Sequence, residues 1–371
     1  MLDLKKLSDR ELKNYHQKVV YQHSKFKNLQ LAKKIQLNSA YGACGNQYFR
    51  FYDVRLAEAI TKSGQLSIRW IERKINEFLN EILNGYDEKQ DFVIAIDTDS
   101  VYLDLESLVM KSFKGRIPDD TQKVIRFLEK FAKDVLNPFI EDSYKELADY
   151  LNAYSQKMHM GLEVIANKGF WTAKKRYALN VFYSEGVNYQ SPHLKIIGLE
   201  TRRTTTPEYC RGKLKKAITI ILEQDNESII KYLTEAKADF RLQNLEDIAI
   251  SKSVNNIQKY TGTLDLCAKG CPIHVRGSIV YNHFREKMQI GKKYPVIKEG
   301  EKIKYLYLKT PNPVRQHVIG FVNIFPEEFK LDHYIDYETQ FEKVFLKPLR
   351  SILTAIGWDV EKKISVSSFF C

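Results

Sequence analysis

The 371-residue sequence predicts an α+β fold, and two kinds of pattern carry that expectation. Apolar residues recur at helical spacing over long segments, as in Ile71, Ile75, Phe78, Leu79 and Ile82. Elsewhere, β-branched and aromatic runs flank a short polar tetrad, Asp97-Thr98-Asp99-Ser100, within Phe92 to Leu105, which is a hairpin signal. A chain of this length can bury a real core and divides into two or three subdomains. Its 44% hydrophobic and 28% charged residues give a globular balance.

Charge narrows the choice of partner. Lys and Arg total 58 against 46 acids, a formal charge of +12, which points to a polyanion: nucleic acid first, a membrane surface second. No apolar run approaches the ~20 residues of a membrane span, and with nucleic acid the first choice no membrane partner is expected. Met1 to Lys6 lacks the apolar core of a signal peptide. Five scattered cysteines argue against a disulfide framework and for a reducing cytosol.

Residues 1 to about 42 are lysine-rich, free of proline and helical in pattern. Lys34, Asn38 and Tyr41 fall at i, i+4 and i+7 and share one face, while Ile35 lies off it and packs inward. Gly42 and Gly45 then stop the helix. That face reads as a solvated stripe, or as a cation, an amide and a ring aimed together at phosphate, sugar and base. An amphipathic helix follows from Leu56 to Asn84, and the Gly85–Lys89 loop leads into the hairpin.

The hairpin tip has two readings. Aspartate and serine are ordinary turn formers, so one is a solvated Asp-x-Asp turn. The other takes Phe92 to Ile96, apolar at nearly every position, as a strand covered on both faces. Two carboxylates at the tip of such a buried hairpin crowd each other, and without a cation at least one should hold a proton. A divalent ion removes the conflict, and magnesium prefers carboxylate oxygens.

Beyond it, Val124, Phe127, Leu128, Phe131 and Val135 form one apolar stripe, which Pro138 breaks. Phe139, Ile140, Tyr144, Leu147 and Leu151 form the next. Met158, Met160 and Leu162 alternate as in a strand, with Glu163 near its end, on its own an exposed strand acid. Lys168 to Lys216 is the strongest basic zone. A charge run is usually a solvated face, but Phe170, Trp171 and Tyr177 interleave with the cations and favour nucleic acid. Thr201 to Pro207 reads as a hinge-like linker whose proline opens a helix. Helical patterns follow at 208–224 and 226–243. Cys267, Cys271 and His274 lack a fourth zinc ligand and their spacing is loose, so no structural zinc is expected. A strand-like run near Val318–Phe321 precedes a closing helix with Phe341, Val344, Phe345, Leu349, Ile352 and Ile356 buried. The apolar tail from Ile364 to Cys371 can dock on its own domain or on a partner.

Taken in order, Lys34-x-x-x-Asn38-Ser39-x-Tyr41-Gly42 and, about 55 residues on, Asp97-Thr98-Asp99-Ser100 resemble two of three signature motifs of family B DNA polymerases. Gly45-Asn-x-x-Phe49-Arg50-x-Tyr52-Asp53, Trp70-Ile-x-Arg-Lys-Ile-Asn-Glu and Phe170-Trp171-x-x-Lys174-Lys175-Arg176-Tyr177-Ala-Leu-Asn180 extend the resemblance to the replicative enzymes of large myovirus bacteriophages. It covers essentially the whole chain.

The resemblance implies a palm with an antiparallel sheet, a helical fingers remnant and a mostly helical thumb. On that plan residues 1–50 are fingers, 51–203 palm, 204–360 thumb and 361–371 a tail. It implies two-metal transfer of a nucleotide from dNTP to a primer 3′-hydroxyl, with magnesium ions ~3.5–4 Å apart. Asp99 and Asp97 are then metal ligands, and Lys34 grips the triphosphate. Asn38, Tyr41 and Gly42 line the nascent pair, Tyr41 testing its minor-groove side. Lys174, Lys175, Arg176 and Tyr177 hold the primer-template, with Lys175 nearest the chemistry. Glu163 is a candidate third palm carboxylate, and the tail with Phe369 and Phe370 a candidate sliding-clamp peptide. The phage relatives carry an acid near the position of Tyr183 and a longer loop before Lys168, so this subsite departs from them. The chain also lacks the family's other aspartate motif with its Ser-Leu-Tyr-Pro-Ser type run, the exonuclease domain and the first fingers helix. The expectation is a split polymerase in the cytoplasm of an infected bacterium, with an expression fragment of a longer polymerase as the other reading of the same gap. An N-terminal polymerase/exonuclease chain would supply the missing aspartate and share both magnesium ions. The rival is a non-catalytic DNA-binding subunit that kept palm and thumb.

Overall fold

A computed structural model describes residues 7–83, 90–262 and 265–358. The Gly85–Lys89 loop and the candidate clamp residues Phe369 and Phe370 lie outside them. The fold is α+β, in two compact units, Met1–Gly161 and Leu162–Cys371.

The first unit opens with α1, Asp9–Cys44, whose start is fixed by Glu11: its carboxylate accepts from the Ser8 amide at 3.0 Å and the Ser8 hydroxyl at 2.6 Å. Gly42 lies inside this helix and Gly45 alone caps it. None of its residues is buried, and Ile35, expected to pack inward, is 55% exposed because no apolar surface meets it. In α2, Val54–Leu83, the buried stripe is Ile68, Ile71, Ile75 and Leu79. Phe78 is half-buried and stacks on Phe139, 4.2 Å between centroids. At the last turn Leu83, not Ile82, completes the stripe.

Strands β1, Val93–Asp97, and β2, Ser100–Leu103, form the expected antiparallel hairpin. Helices α3, Glu106–Ser112, α4, Thr121–Phe131, and α5, Asn137–Tyr150, follow. Pro138 does not break the path from α4 to α5. A π turn over Ala132–Leu136 precedes it, and the wider turn absorbs the amide that proline lacks. The extra residue rotates the stripe, so Leu136 is buried and Val135, expected inside, is exposed. Leu151 lies past the helix end and is exposed as well. The core of this unit joins α2, α5 and the hairpin through Ile71, Leu79, Phe92, Val93, Ile140 and Tyr144, and the Trp70 indole donates to the Ser143 carbonyl at 2.9 Å.

In the second unit the strand expected at Met158–Leu162 starts later, at Val164, because only from there does the chain find a ladder partner. Strands β3, Val164–Ala173, β4, Arg176–Ser184, and β5, Val187–Ile197, form an antiparallel meander. Phe170, Ala178, Ile196 and Leu199 pack it on α6, Glu208–Glu223, which Pro207 caps. The linker before α6 is tied down: Glu200–Arg202 form a 3₁₀ turn, and the Ser251 amide donates to the Thr205 carbonyl at 3.4 Å. Next come α7, Asn226–Phe240, α8, Leu245–Ile248, β6, Ile250–Ser253, α9, Ile257–Tyr260, and α10, Ile273–Lys287. Strands β7, Lys302–Tyr307, and β8, Val318–Phe321, complete a second antiparallel sheet, β6-β7-β8. The closing helix repeats the earlier device: α11, Tyr337–Phe341, passes through a π turn at Glu342–Leu346 into α12, Lys347–Ala355, with Pro348 in its first turn. Phe341, Val344, Phe345, Leu349 and Ile352 are buried as expected, and Ile356 is half-buried. Among the described residues no helix is long and apolar enough to cross a membrane.

Candidate active site

Two asparagines of α2 hold the hairpin in place. Asn76 Oδ1 accepts from the amides of Phe92 at 2.8 Å and Val93 at 3.1 Å, and its Nδ2 donates to Asp91 at 2.8 Å. Asn80 brackets Gln90, donating to its carbonyl at 2.7 Å and accepting from its amide at 2.8 Å. The partly buried strand entry therefore has its backbone groups satisfied by α2. Replacing Asn76 by alanine leaves the Phe92 amide short of an acceptor and the Val93 amide with Asp91 alone, at 3.2 Å, and is expected to cost about 2 kcal/mol in urea unfolding of the chain.

Beyond that clamp a bulge between Val93 and Ala95 leaves Ile94 out of register. The strand is not covered on both faces: Ile94 is 50% and Ile96 36% exposed, because α2 and α5 cover one side only. The tip is not buried either: Thr98 and Asp99 are exposed and Asp97 is half-buried. Asp97 pairs with Ser100, and Thr98 (φ 58°) and Asp99 make the two-residue turn. The Asp99 amide donates to the Asp97 carbonyl at 2.6 Å. Asp97 Oδ1 accepts from the Thr98 hydroxyl at 3.0 Å, and Asp99 Oδ1 lies 3.4 Å from the Ser100 hydroxyl.

The tip thus carries two carboxylates two residues apart in the chain, Asp99 exposed and Asp97 half-buried. Magnesium is commonly held by one or two carboxylates together with waters and substrate phosphates, and this donor set fits that pattern. Among the described residues no group of three or more His, Cys, Asp or Glu side chains is placed to hold a metal ion. Further ligands would have to come from substrate or another polypeptide segment.

Lys34, Asn38 and Tyr41 share one exposed face of α1, with Gly42 beside them. The basic tetrad, by contrast, divides. Lys174 and Lys175 (φ 59°) are exposed at the β3–β4 turn, whereas Arg176 and Tyr177 face inward. Arg176 Nη2 reaches both Glu200 oxygens, at 2.7 and 2.9 Å. Tyr177 is buried and stacks on Trp171. Glu163, just before β3, is ion-paired with Lys195 at 2.8 Å. Other cations of the basic zone are also paired, such as Lys213 with Asp239 at 2.7 Å. Glu163 and Asp239 lie outside the run, so a count within it overstates its unbalanced charge.

Cys267 and Cys271 share a hydrogen bond; burial pushes the Cys267 thiol up to about 11, and burial with Lys252 nearby lowers His274. Pattern reading missed Asn76, Asn80, Gly198 and Glu200, whose roles depend on contacts across elements. The one local signal was a glycine directly after a strand-like run, at Gly198.

Comparison with known proteins agrees with these features. The model of DNA polymerase family B matches residues 2–356. The DNA-directed DNA polymerase of Enterobacteria phage T4 is 37% identical over 358 residues, covering 92% of this chain and 38% of the relative. That of Escherichia phage RB69 is 37% identical over 353 residues, with the same shares covered. DNA polymerase 1 of Pyrococcus abyssi is 24% identical over 338 residues, covering 90% of this chain and 35% of its own length. The chain thus spans little more than a third of the length of these three relatives. With the match running through both units, the chain belongs to DNA polymerase family B.

Proposed function

We propose that this chain is the fingers-helix, palm and thumb portion of a phage replicative DNA polymerase. It adds dNTPs to a primer 3′-hydroxyl on a template strand, in the cytoplasm of an infected bacterium. The observation that carries the reading is the acidic hairpin tip, with Asp97 and Asp99 side by side on a turn docked to α2. Asp97 and Asp99 would hold magnesium, which when bound activates the primer hydroxyl and neutralises charge on the triphosphate. Lys34 would meet the triphosphate from the exposed face of α1, with Asn38 and Tyr41 against the nascent base pair. Lys174 and Lys175 would hold the primer-template backbone, while Arg176 and Tyr177 shape the turn beneath them. In this reading residues 1–50 serve as fingers, 51–203 as palm, 204–360 as thumb, and 361–371 as a sliding-clamp peptide.

The reading includes an N-terminal polypeptide, carrying the remaining catalytic aspartate and the exonuclease, that acts in trans. Two features support it. Among the described residues the tip gathers two carboxylates where the chemistry calls for more. Helix α1 also exposes Leu12, Tyr15, Val19, Phe26 and Leu29, spaced three or four apart like the seam of a coiled coil except for one seven-residue step from Val19 to Phe26. Such a seam fits a second helix from the partner polypeptide. Mixing the chain with that polypeptide is expected to give magnesium-dependent primer extension that neither shows alone. Efficient extension by the isolated chain would sink the in-trans arrangement.

A further inference from the structure

We propose that Glu200 and Gly198 are positioning residues for the Lys174–Lys175 turn, fixing the shape in which it presents both lysines to the primer-template. The inference rests on the reading that this turn grips DNA. Lys175 sits at φ 59°, a left-handed conformation that is disfavoured for a non-glycine residue, so its surroundings must hold it there. Two contacts do so, both from the end of β5.

The first is steric. Gly198 has φ +68°, and a Cβ built on it would lie 1.9 Å from the Lys175 carbonyl oxygen and 3.2 Å from Arg176 Cγ. The backbone after β5 therefore lies directly against the Lys175 peptide, and only glycine allows that approach. The second is electrostatic. Both Glu200 oxygens accept from Arg176 Nη2, and Arg203 Nη1 stands 3.6 Å away on the same carboxylate. The Arg176 and Glu200 side chains are 27% and 15% exposed, so solvent screens the pair only in part. A partly buried ion pair is a poor route to stability, because desolvation offsets much of its attraction. Its effect here is directional: it fixes the residue after Lys175, and so the end of the turn.

The test assembles wild type, Glu200→Gln, Gly198→Ala, Lys175→Ala and the Lys175→Ala/Glu200→Gln double variant into the complete polymerase. Hydrogen exchange over residues 173–178 reads the turn, and primer-template titration with single-turnover extension reads the grip. Glu200→Gln is expected to speed exchange at the turn and weaken primer-template binding roughly three- to tenfold, with the melting temperature near wild type. It should add nothing once Lys175 is alanine. Gly198→Ala disturbs the same turn without touching the ion pair, and should shift both readouts in the same direction. Unchanged exchange in Glu200→Gln, or the same loss of binding with and without Lys175, overturns the inference. If exchange speeds while Lys175→Ala binds DNA like wild type, the pinning by Glu200 stands and the DNA-grip reading is what fails.

Discussion

Replacing Asp99 by alanine in the assembled polymerase is expected to slow nucleotide addition at least about a thousandfold, with duplex affinity within about twofold of wild type. A thousandfold corresponds to about 4 kcal/mol of transition-state stabilisation, within the several kcal/mol a metal-held charge supplies. Stability should hardly change. Asp99 is exposed on a two-residue turn, and the bond its carboxylate makes to Ser100 is a long 3.4 Å. What places the turn is the Asn76 clamp and the strand ladder, which the substitution leaves alone. Asp99→Asn keeps the shape of the side chain and loses the charge, so it should fall nearly as far. Single-turnover extension in magnesium, with circular dichroism as the control for folding, checks both variants. A non-catalytic DNA-binding subunit would have no activity to lose, so an assembled wild type that cannot extend a primer favours that rival.

How much of this was legible in sequence depended on whether a feature was local. The hairpin, the helical face of Lys34, Asn38 and Tyr41, and the start of α6 after Pro207 follow from short-range patterns, and they stand where expected. Readings failed where burial depended on a distant element. The run from Phe92 to Ile96 is apolar throughout, yet helices cover only one of its faces, so Ile94 and Ile96 stay exposed. Pro138 carries a strong local signal for a break, but a π turn one step earlier absorbs it. In Lys174-Lys175-Arg176-Tyr177 the four side chains look equivalent as text. The two-residue turn separates them into an exposed pair and an inward pair. The positioning contacts of Gly198 and Glu200 were invisible because they come from the far end of the next strand.

A leucine at Gly277 is expected to destabilise the second unit by several kcal/mol, enough to lower its melting temperature sharply. Gly277 lies in α10, and the packing of that helix gives the glycine a reason. A Cβ on Gly277 would lie 2.9 Å from the Gly320 amide nitrogen and 3.2 Å from the Ile319 carbonyl carbon. A Cβ on Gly320 would in turn lie 2.9 Å from the Gly277 carbonyl carbon. Helix and strand thus meet backbone to backbone at the centre of the core, between Val275, Ile279, Val318 and Phe321. For alanine two effects compete. Gly→Ala inside a helix gains about 1 kcal/mol in propensity, while forcing one carbon into a packed contact costs about 1–3 kcal/mol. Gly277→Ala alone should therefore be mildly destabilising. Gly277→Ala with Gly320→Ala should lose more than the sum, since both methyls claim the same gap. Leucine gains no more propensity than alanine and adds three carbons with nowhere to go, so overpacking wins outright. Thermal melting of wild type and the three variants gives the order wild type, single alanine, double alanine, leucine. A Gly277→Leu chain that melts with wild type would mean that α10 does not lie on β8.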